Sequence, residues 1–263
     1  MLFSGYAFVK QVCLKGDSYL SKIPRKILAL LIVFMITVFA FIILGIIKGQ
    51  KYDVQTTLLS MIGMRSVGNS TWYIFAIIFC WLFSYVVLRQ KYINPIIFLF
   101  LLILLYIVLI SRIKDLAFYN TVIAYGVGFS VAHYEKKLYQ FFKKYYWIFL
   151  TVSIVLLLVG IPFHSIFIVD EIWVLAFCLL LLLFSMKVQL NSKILIWLNQ
   201  YSLEIYLIQR IPMILLQHKI SINILYFICT WVLTLGIALI WKKLFQIILK
   251  LCLTKRQAAF SKC

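Results

Sequence analysis

Acid is what this chain has least of. Its 263 residues hold 7 Asp and Glu against 26 Lys and Arg, a formal net charge of +19. Charged residues of all kinds make up 13%, about half the share of an average soluble domain. Helix and strand breakers are also few, with 10 Gly and 4 Pro. A disordered, low-complexity or collagen-like chain is thereby excluded. The six cysteines (13, 80, 178, 229, 252 and 263) show no Cys-x-x-Cys and no Cys/His spacing, so neither a zinc site nor a disulfide framework is indicated. Cys80, Cys178 and Cys229 fall in apolar runs, where a thiol acts as a small hydrophobe. Phosphate loops of the Walker type, dinucleotide glycine fingerprints and His-Glu-x-x-His are missing as well. No metal site is expected, and no internal repeat is evident.

What is present is apolar. Hydrophobic residues make up 65% and the mean hydropathy is +1.06. A soluble globule cannot hide that much apolar surface, so an integral membrane protein is implied. That excludes a nucleic-acid-binding module despite the positive charge. Continuous apolar runs near the ~20 residues needed to cross a bilayer are found eight times. They cover Ile27–Ile47, Trp72–Leu88, Pro95–Ile110, Phe118–Ala132, Tyr146–Ile161, Ile168–Met186, Ile194–Gln209 and Ile222–Trp241. Lipid satisfies no backbone hydrogen bond, so such runs must be helices. The expected fold is all-α: a polytopic transmembrane helical bundle, one embedded domain over 1–263, with about 8 full spans plus a partial N-terminal span at Met1–Lys10.

With those spans, 19 of the 26 basic residues fall on one set of alternating loops and ends, and 7 on the other. Cationic loops stay in the cytoplasm. Both termini are therefore expected to be cytoplasmic, and the turn Ile161-Pro-Phe-His-Ser-Ile, with no Lys or Arg, external. Lipid is the first expected partner; nucleic acid is not one.

Three polar groups stand out. Lys10, Lys15, Lys22, Arg25 and Lys26 precede the first full span. Lys22 and Arg25 are three apart, on one face of a helical turn, and Pro24 suits the first turn of the helix that follows. They read either as a topology anchor or as a phosphate site, Arg supplying a fork and Lys a point charge. Second, Gly68, Asn69 and Ser70 read as a turn, with Ser70 or Thr71 capping the next helix. Asn69-Ser-Thr also fits a glycosylation sequon, a weak signal. Third, Glu204 is an acid within an apolar run, sharing a face with Tyr201 and Ile208, while Ser202, Tyr206 and Gln209 form a neighbouring row. An intramembrane carboxylate is costly and marks either a site or an ion pair between helices. His133, His164 and His218, at span ends or in loops, read as interfacial. Gly126 and Gly128 read as a helix-packing notch.

Together these segments resemble the acyltransferase-3 family of integral-membrane O-acyltransferases. Leu2-Phe-Ser-Gly-Tyr-Ala-Phe8 is similar to that family's Ser-Gly-Tyr segment, and Tyr19-Leu-Ser-Lys22-Ile-Pro-Arg25-Lys26 to the basic loop that follows it. Ser70-Thr-Trp-Tyr-Ile74, Thr121-Val-Ile-Ala-Tyr-Gly-Val-Gly128 and Tyr201-Ser-Leu-Glu-Ile-Tyr-Leu-Ile208 resemble later segments, in order. The resemblance implies transfer of an acyl group, commonly acetyl, from cytoplasmic acyl-CoA to a hydroxyl of a cell-envelope carbohydrate, polysaccharide or glycolipid. It implies a bacterial plasma membrane, acyl-CoA as donor substrate and no bound cofactor. Carried over by position, Lys22 and Arg25 face the CoA donor. Tyr6, Ser202, Glu204, Tyr206 and Gln209 form a polar site, with Gln209 where many members have His. The family's first span, with the Arg and His expected to act in catalysis, has no counterpart, so no catalytic residue is assigned. On that matching the chain is expected to be N-terminally truncated by roughly 50 to 60 residues, from about 20 per span plus loops, and to have little or no transferase activity alone. Alternative readings are a non-catalytic remnant and an envelope polysaccharide transporter or polymerase.

Overall fold

Each long apolar run forms helix, because only intrasegment hydrogen bonds can satisfy its backbone in lipid. The computed structural model describes residues 1–263 except positions 91, 116–117, 164–165, 189–191, 218–221 and 261–263, with backbone alone at 163, 167 and 249–260. His164 and His218 lie outside the described residues, as do the side chains of Cys252 and Cys263. The elements are α1 (Leu2–Lys15), α2 (Asp17–Leu20), α3 (Ile23–Ile47), α4 (Val54–Met61), α5 (Trp72–Arg89), α6 (Pro95–Ile110) and α7 (Val122–His133). They continue with α8 (Glu135–Lys144), α9 (Tyr146–Gly160), α10 (Phe167–Lys187), α11 (Lys193–Asn199), α12 (Ser202–Ile208), α13 (Arg210–Leu216) and α14 (Asn223–Phe260). Among the described residues there is no strand.

Among the described residues, four helical segments are long and apolar enough to cross a membrane: Asp17–Ile47, Trp72–Arg89, Ile168–Lys187 and Asn223–Ile248. A fifth arises if α8 and α9, bent by 88° at Tyr145, count as one. α6 and α7 are apolar but shorter. The fold is thus a helical membrane protein, and four spans meet the length criterion where the sequence suggests eight. The run expected to span Phe118–Ala132 is helical only from Val122. The run expected over Ile194–Gln209 is broken into α11 and α12 at Gln200–Tyr201, and α13 follows. The reason is local. Asn199-Gln-Tyr-Ser is polar and competes for its own backbone: Ser202 Oγ donates to the Asn199 carbonyl at 3.0 Å, and the Lys242 ammonium meets the Gln200 carbonyl at 2.7 Å. The stretch Lys48–Thr71, between the first two expected spans, contains α4, capped where Asp53 accepts from the Thr56 N–H at 3.1 Å. α14 runs well past Trp241.

The chain divides into two compact units, Met1–Arg25 with Trp72–Leu190, and Lys26–Thr71 with Asn191–Cys263. In the first, α1 lies along α7 with glycine at each close approach. A Cβ on Gly5 would sit 2.2 Å from the Tyr125 carbonyl oxygen, and one on Gly128 only 1.9 Å from that of Leu2. Of the expected Gly126–Gly128 notch, Gly128 receives α1, with Gly5 of the Ser-Gly-Tyr segment as the matching close approach, while Gly126 makes room for Ile103 and Phe100 of α6. Tyr125 is fully buried, its hydroxyl 2.9 Å from Ser84 Oγ of α5. Phe75, Phe79, Phe83, Tyr106 and Phe118 pack as an aromatic cluster between α5 and α6. α9 and α10 pair as a hairpin in which the Trp173 indole donates to the Leu157 carbonyl at 3.0 Å and Gly160 leaves room for its ring.

In the second unit, Gly68 takes the positive φ (101°) of the anticipated turn. Asn69 is buried and its side-chain oxygen accepts from the Val67 N–H at 3.2 Å, so it serves the turn itself. The Trp241 indole reaches Thr37 Oγ1 at 3.4 Å, joining α14 to α3. Cys80 is buried, Cys178 and Cys229 partly so, and each is a free thiol.

Candidate functional site

Gly16, at φ 55°, ends α1 and turns the chain into α2. Ser18 and Ser21 then bond backwards to the Lys15 and Ser18 carbonyls and tighten the turn before α3. Ile23 and Ile27 are buried. Lys22, Pro24, Arg25 and Lys26, on the remaining positions, are exposed. The first turn of α3 carries no acidic residue. Two cations thus stand at the N-terminal end of a 25-residue helix, whose first N–H groups and dipole favour an anion. Neither the Lys22 nor the Arg25 side chain has a hydrogen bond or ion pair among the described residues.

Tyr6 belongs to a different cluster. Its hydroxyl donates to Glu135 Oε1, and the Lys10 ammonium donates to Glu135 Oε2. Glu135 opens α8, where a negative charge also suits the helix dipole. The Lys10 ammonium, then the Tyr6 hydroxyl, hold its carboxyl below the ordinary carboxylate range. A depressed value stabilises the fold above the ordinary pKa of 4.5 and is lost as pH falls through the lowered one. The pair is 39% and 40% exposed, so solvent screens it and the contribution stays below about 1 kcal/mol. Thermal melts of the chain and of Glu135→Gln are expected to differ slightly at neutral pH and to converge in acid; a constant gap down to pH ~3 would show that the charge is not what matters.

The late polar residues fall in the second unit. Ser202 and Tyr206 keep their i, i+4 relation in α12, and so do Glu204 and Ile208. Tyr201 caps α12 and Gln209 caps α13, so the two rows expected of one continuous helix do not extend to them. Tyr206 Oη donates to the Ser70 carbonyl at 3.2 Å, which joins the late helix to the segment before Trp72. Gln209 lines a small cavity of about 70 Å³ with Thr230 and Thr234. Ser202 is exposed. Glu204 is 9% exposed and makes no ion pair among the described residues.

Sequence reasoning missed two acids. Glu135 is separated from Tyr6 by 129 residues and from Lys10 by 125, so no local pattern announces it. Glu171 is 5% exposed in α10 and neither carboxylate oxygen has a hydrogen-bond partner among the described residues. Its neighbour Asp170 accepts from Asn120 at 2.8 Å, tying the start of α10 to the approach to α7. His133 is exposed, its ring edge-on to Tyr134. Among the described residues no three His, Cys, Asp or Glu side chains gather as metal ligands would.

Residues 1–242 match the family model of the acyltransferase domain of the acyltransferase-3 type, which covers both compact units. No curated protein and no solved structure matches the chain. A match over that much of the sequence, with the glycine-packed Ser-Gly-Tyr helix and the basic turn before α3 in place, means that the chain belongs to the acyltransferase-3 family of membrane acyltransferases.

Proposed function

We propose that the protein serves the transfer of an acyl group, acetyl in the simplest case, from acyl-CoA to a hydroxyl of a cell-envelope carbohydrate or glycolipid. The setting is a bacterial plasma membrane, with both termini cytoplasmic. The observation that supports this best is the pair Lys22 and Arg25, exposed at an acid-free helix N-terminus. A CoA donor carries phosphates and must be held outside the hydrocarbon. Arg25 offers a planar fork and Lys22 a point charge. The excess of basic residues around this end favours the cytoplasmic side, where acyl-CoA is found. In the reaction the thioester C–S bond breaks and an ester C–O bond forms, while the hydroxyl proton passes through a base and finally to the CoA thiolate.

Binding of labelled acetyl-CoA to the full chain in nanodiscs tests this. Hydrogen bonds to charged groups contribute about 1.5–3 kcal/mol. Arg25→Ala is therefore expected to weaken binding about tenfold to a hundredfold, and Lys22→Gln by less. Unaltered binding in the double variant would remove the donor-site assignment.

A further inference from the structure

α8 carries a second site that the acyl-transfer reading does not use. The helix turns by 88° from α9, so if α9 crosses the membrane, α8 lies along its surface. Its sequence suits that position. Lys136, Lys137, Lys143 and Lys144 are exposed, while Leu138 and Phe142 turn inward. Beneath it is a half-open cleft of about 290 Å³, lined by Phe3, Tyr6, Leu138, Phe142, Leu182 and Met186, among others. That is the lower end of the ~300–1,000 Å³ of ligand pockets.

The lining selects the occupant. It is apolar apart from a few groups, and its one charged residue, Glu135, is already engaged by Tyr6 and Lys10. A nucleotide would find no cation inside. An alkyl chain would find an apolar slot that opens beside a row of ammonium groups. Lys136 and Lys143 are seven apart on the edge of α8 next to Tyr139, which stands half-exposed at the cleft. Lys187, which follows the lining residue Met186 in α10, lies 5.1 Å from the Tyr146 ring.

We propose that this cleft holds one acyl chain of an anionic glycerophospholipid, with the lipid phosphate held by Lys136 and Lys143. The lipid fastens α8 to α1 and α10 from the side that Glu135 does not reach. A surface lysine adds about 1 kcal/mol of attraction to anionic lipid, or about fivefold in affinity.

The full chain is reconstituted in phosphatidylcholine vesicles holding a trace of photoactivatable phosphatidylglycerol or phosphatidylcholine, with the diazirine in one acyl chain. Labelled residues are then mapped. Phosphatidylglycerol is expected to label Phe3, Tyr139 and Met186 about fivefold or more above phosphatidylcholine. The Lys136→Gln/Lys143→Gln variant should erase that preference. Leu182→Trp should fill the slot and abolish labelling there by both lipids. Labelling of the exposed face of α6, at Ile97, Leu101 and Leu105, should stay constant in all variants and reports an intact fold. Equal labelling of the cleft by the two lipids, a preference that survives loss of both lysines, or labelling confined to outer faces such as that of α6 would overturn the proposal.

Discussion

Replacing Gly128 by alanine is expected to pull α1 off α7 and to cost the first unit more stability than any other single-methyl change in the chain. The added Cβ would lie 1.9 Å from the Leu2 carbonyl oxygen and 2.7 Å from its carbon. Both are backbone atoms, so no rotamer change relieves the clash, and the two helices must separate. Helices in membranes associate largely through such close packing, because lipid offers apolar side chains as good a home as a neighbouring helix does. Overpacking a fitted site costs about 1–3 kcal/mol and occasionally more; a backbone clash this close belongs at the upper end. Gly5→Ala, with its Cβ 2.2 Å from the Tyr125 carbonyl oxygen, should behave alike. Gly236→Ala in α14 is the control, since nothing lies within 4 Å of its Cβ; there, alanine gains up to about 1 kcal/mol of helix propensity. Thermal unfolding in detergent, followed by tryptophan fluorescence, separates the three. If Gly128→Ala melts like Gly236→Ala, the α1–α7 contact is not made.

That contact also shows what could and could not be read from the residues in order. The small-residue site on α7 is visible because Gly126 and Gly128 stand close together in an apolar run, although only Gly128 receives α1 and Gly126 faces Ile103 and Phe100 of α6. Its partner, Gly5, is not, because nothing at Ser4-Gly5-Tyr6 says which helix will lie against it. The same holds for Glu135, whose two partners sit more than a hundred residues away on α1. Lys22 and Arg25 were legible, since their relation is set within one helical turn. The late run was misread for the opposite reason. Its hydrophobic content suggested one span, while the break depends on four polar residues and on Lys242, which reaches the Gln200 carbonyl from another helix. Apolar content predicts that a segment is buried or lipid-facing. Continuity of the helix depends on where backbone carbonyls find donors.

Glu204→Gln is expected to leave the fold in place and, wherever wild type shows acyl transfer against the expectation of little activity from this chain alone, to lower that transfer steeply. Burying an unpaired carboxylate is expensive, and Glu204, at 9% exposure, has no ion-pair partner among the described residues to offset it. A structural lock between helices would show such a partner. Acyl transfer to a hydroxyl needs a group that accepts the hydroxyl proton as the C–O bond forms. A positioned base contributes about 10²–10⁴-fold. Glu204 lies on α12, whose Tyr206 is bonded to the Ser70 carbonyl and is thereby fixed in place. Glutamine keeps the shape and removes both the charge and the basicity. The loss should therefore fall on kcat by about 10²-fold or more, with KM for acetyl-CoA little changed. The contrasting pattern is that of Arg25→Ala, where the loss falls on donor binding. The melting temperature of Glu204→Gln should be no lower than that of wild type, because the glutamine amide is easier to bury than a carboxylate. An unchanged kcat in a stable Glu204→Gln protein would exclude the carboxylate from the chemistry; a collapse in stability would make it a structural group instead.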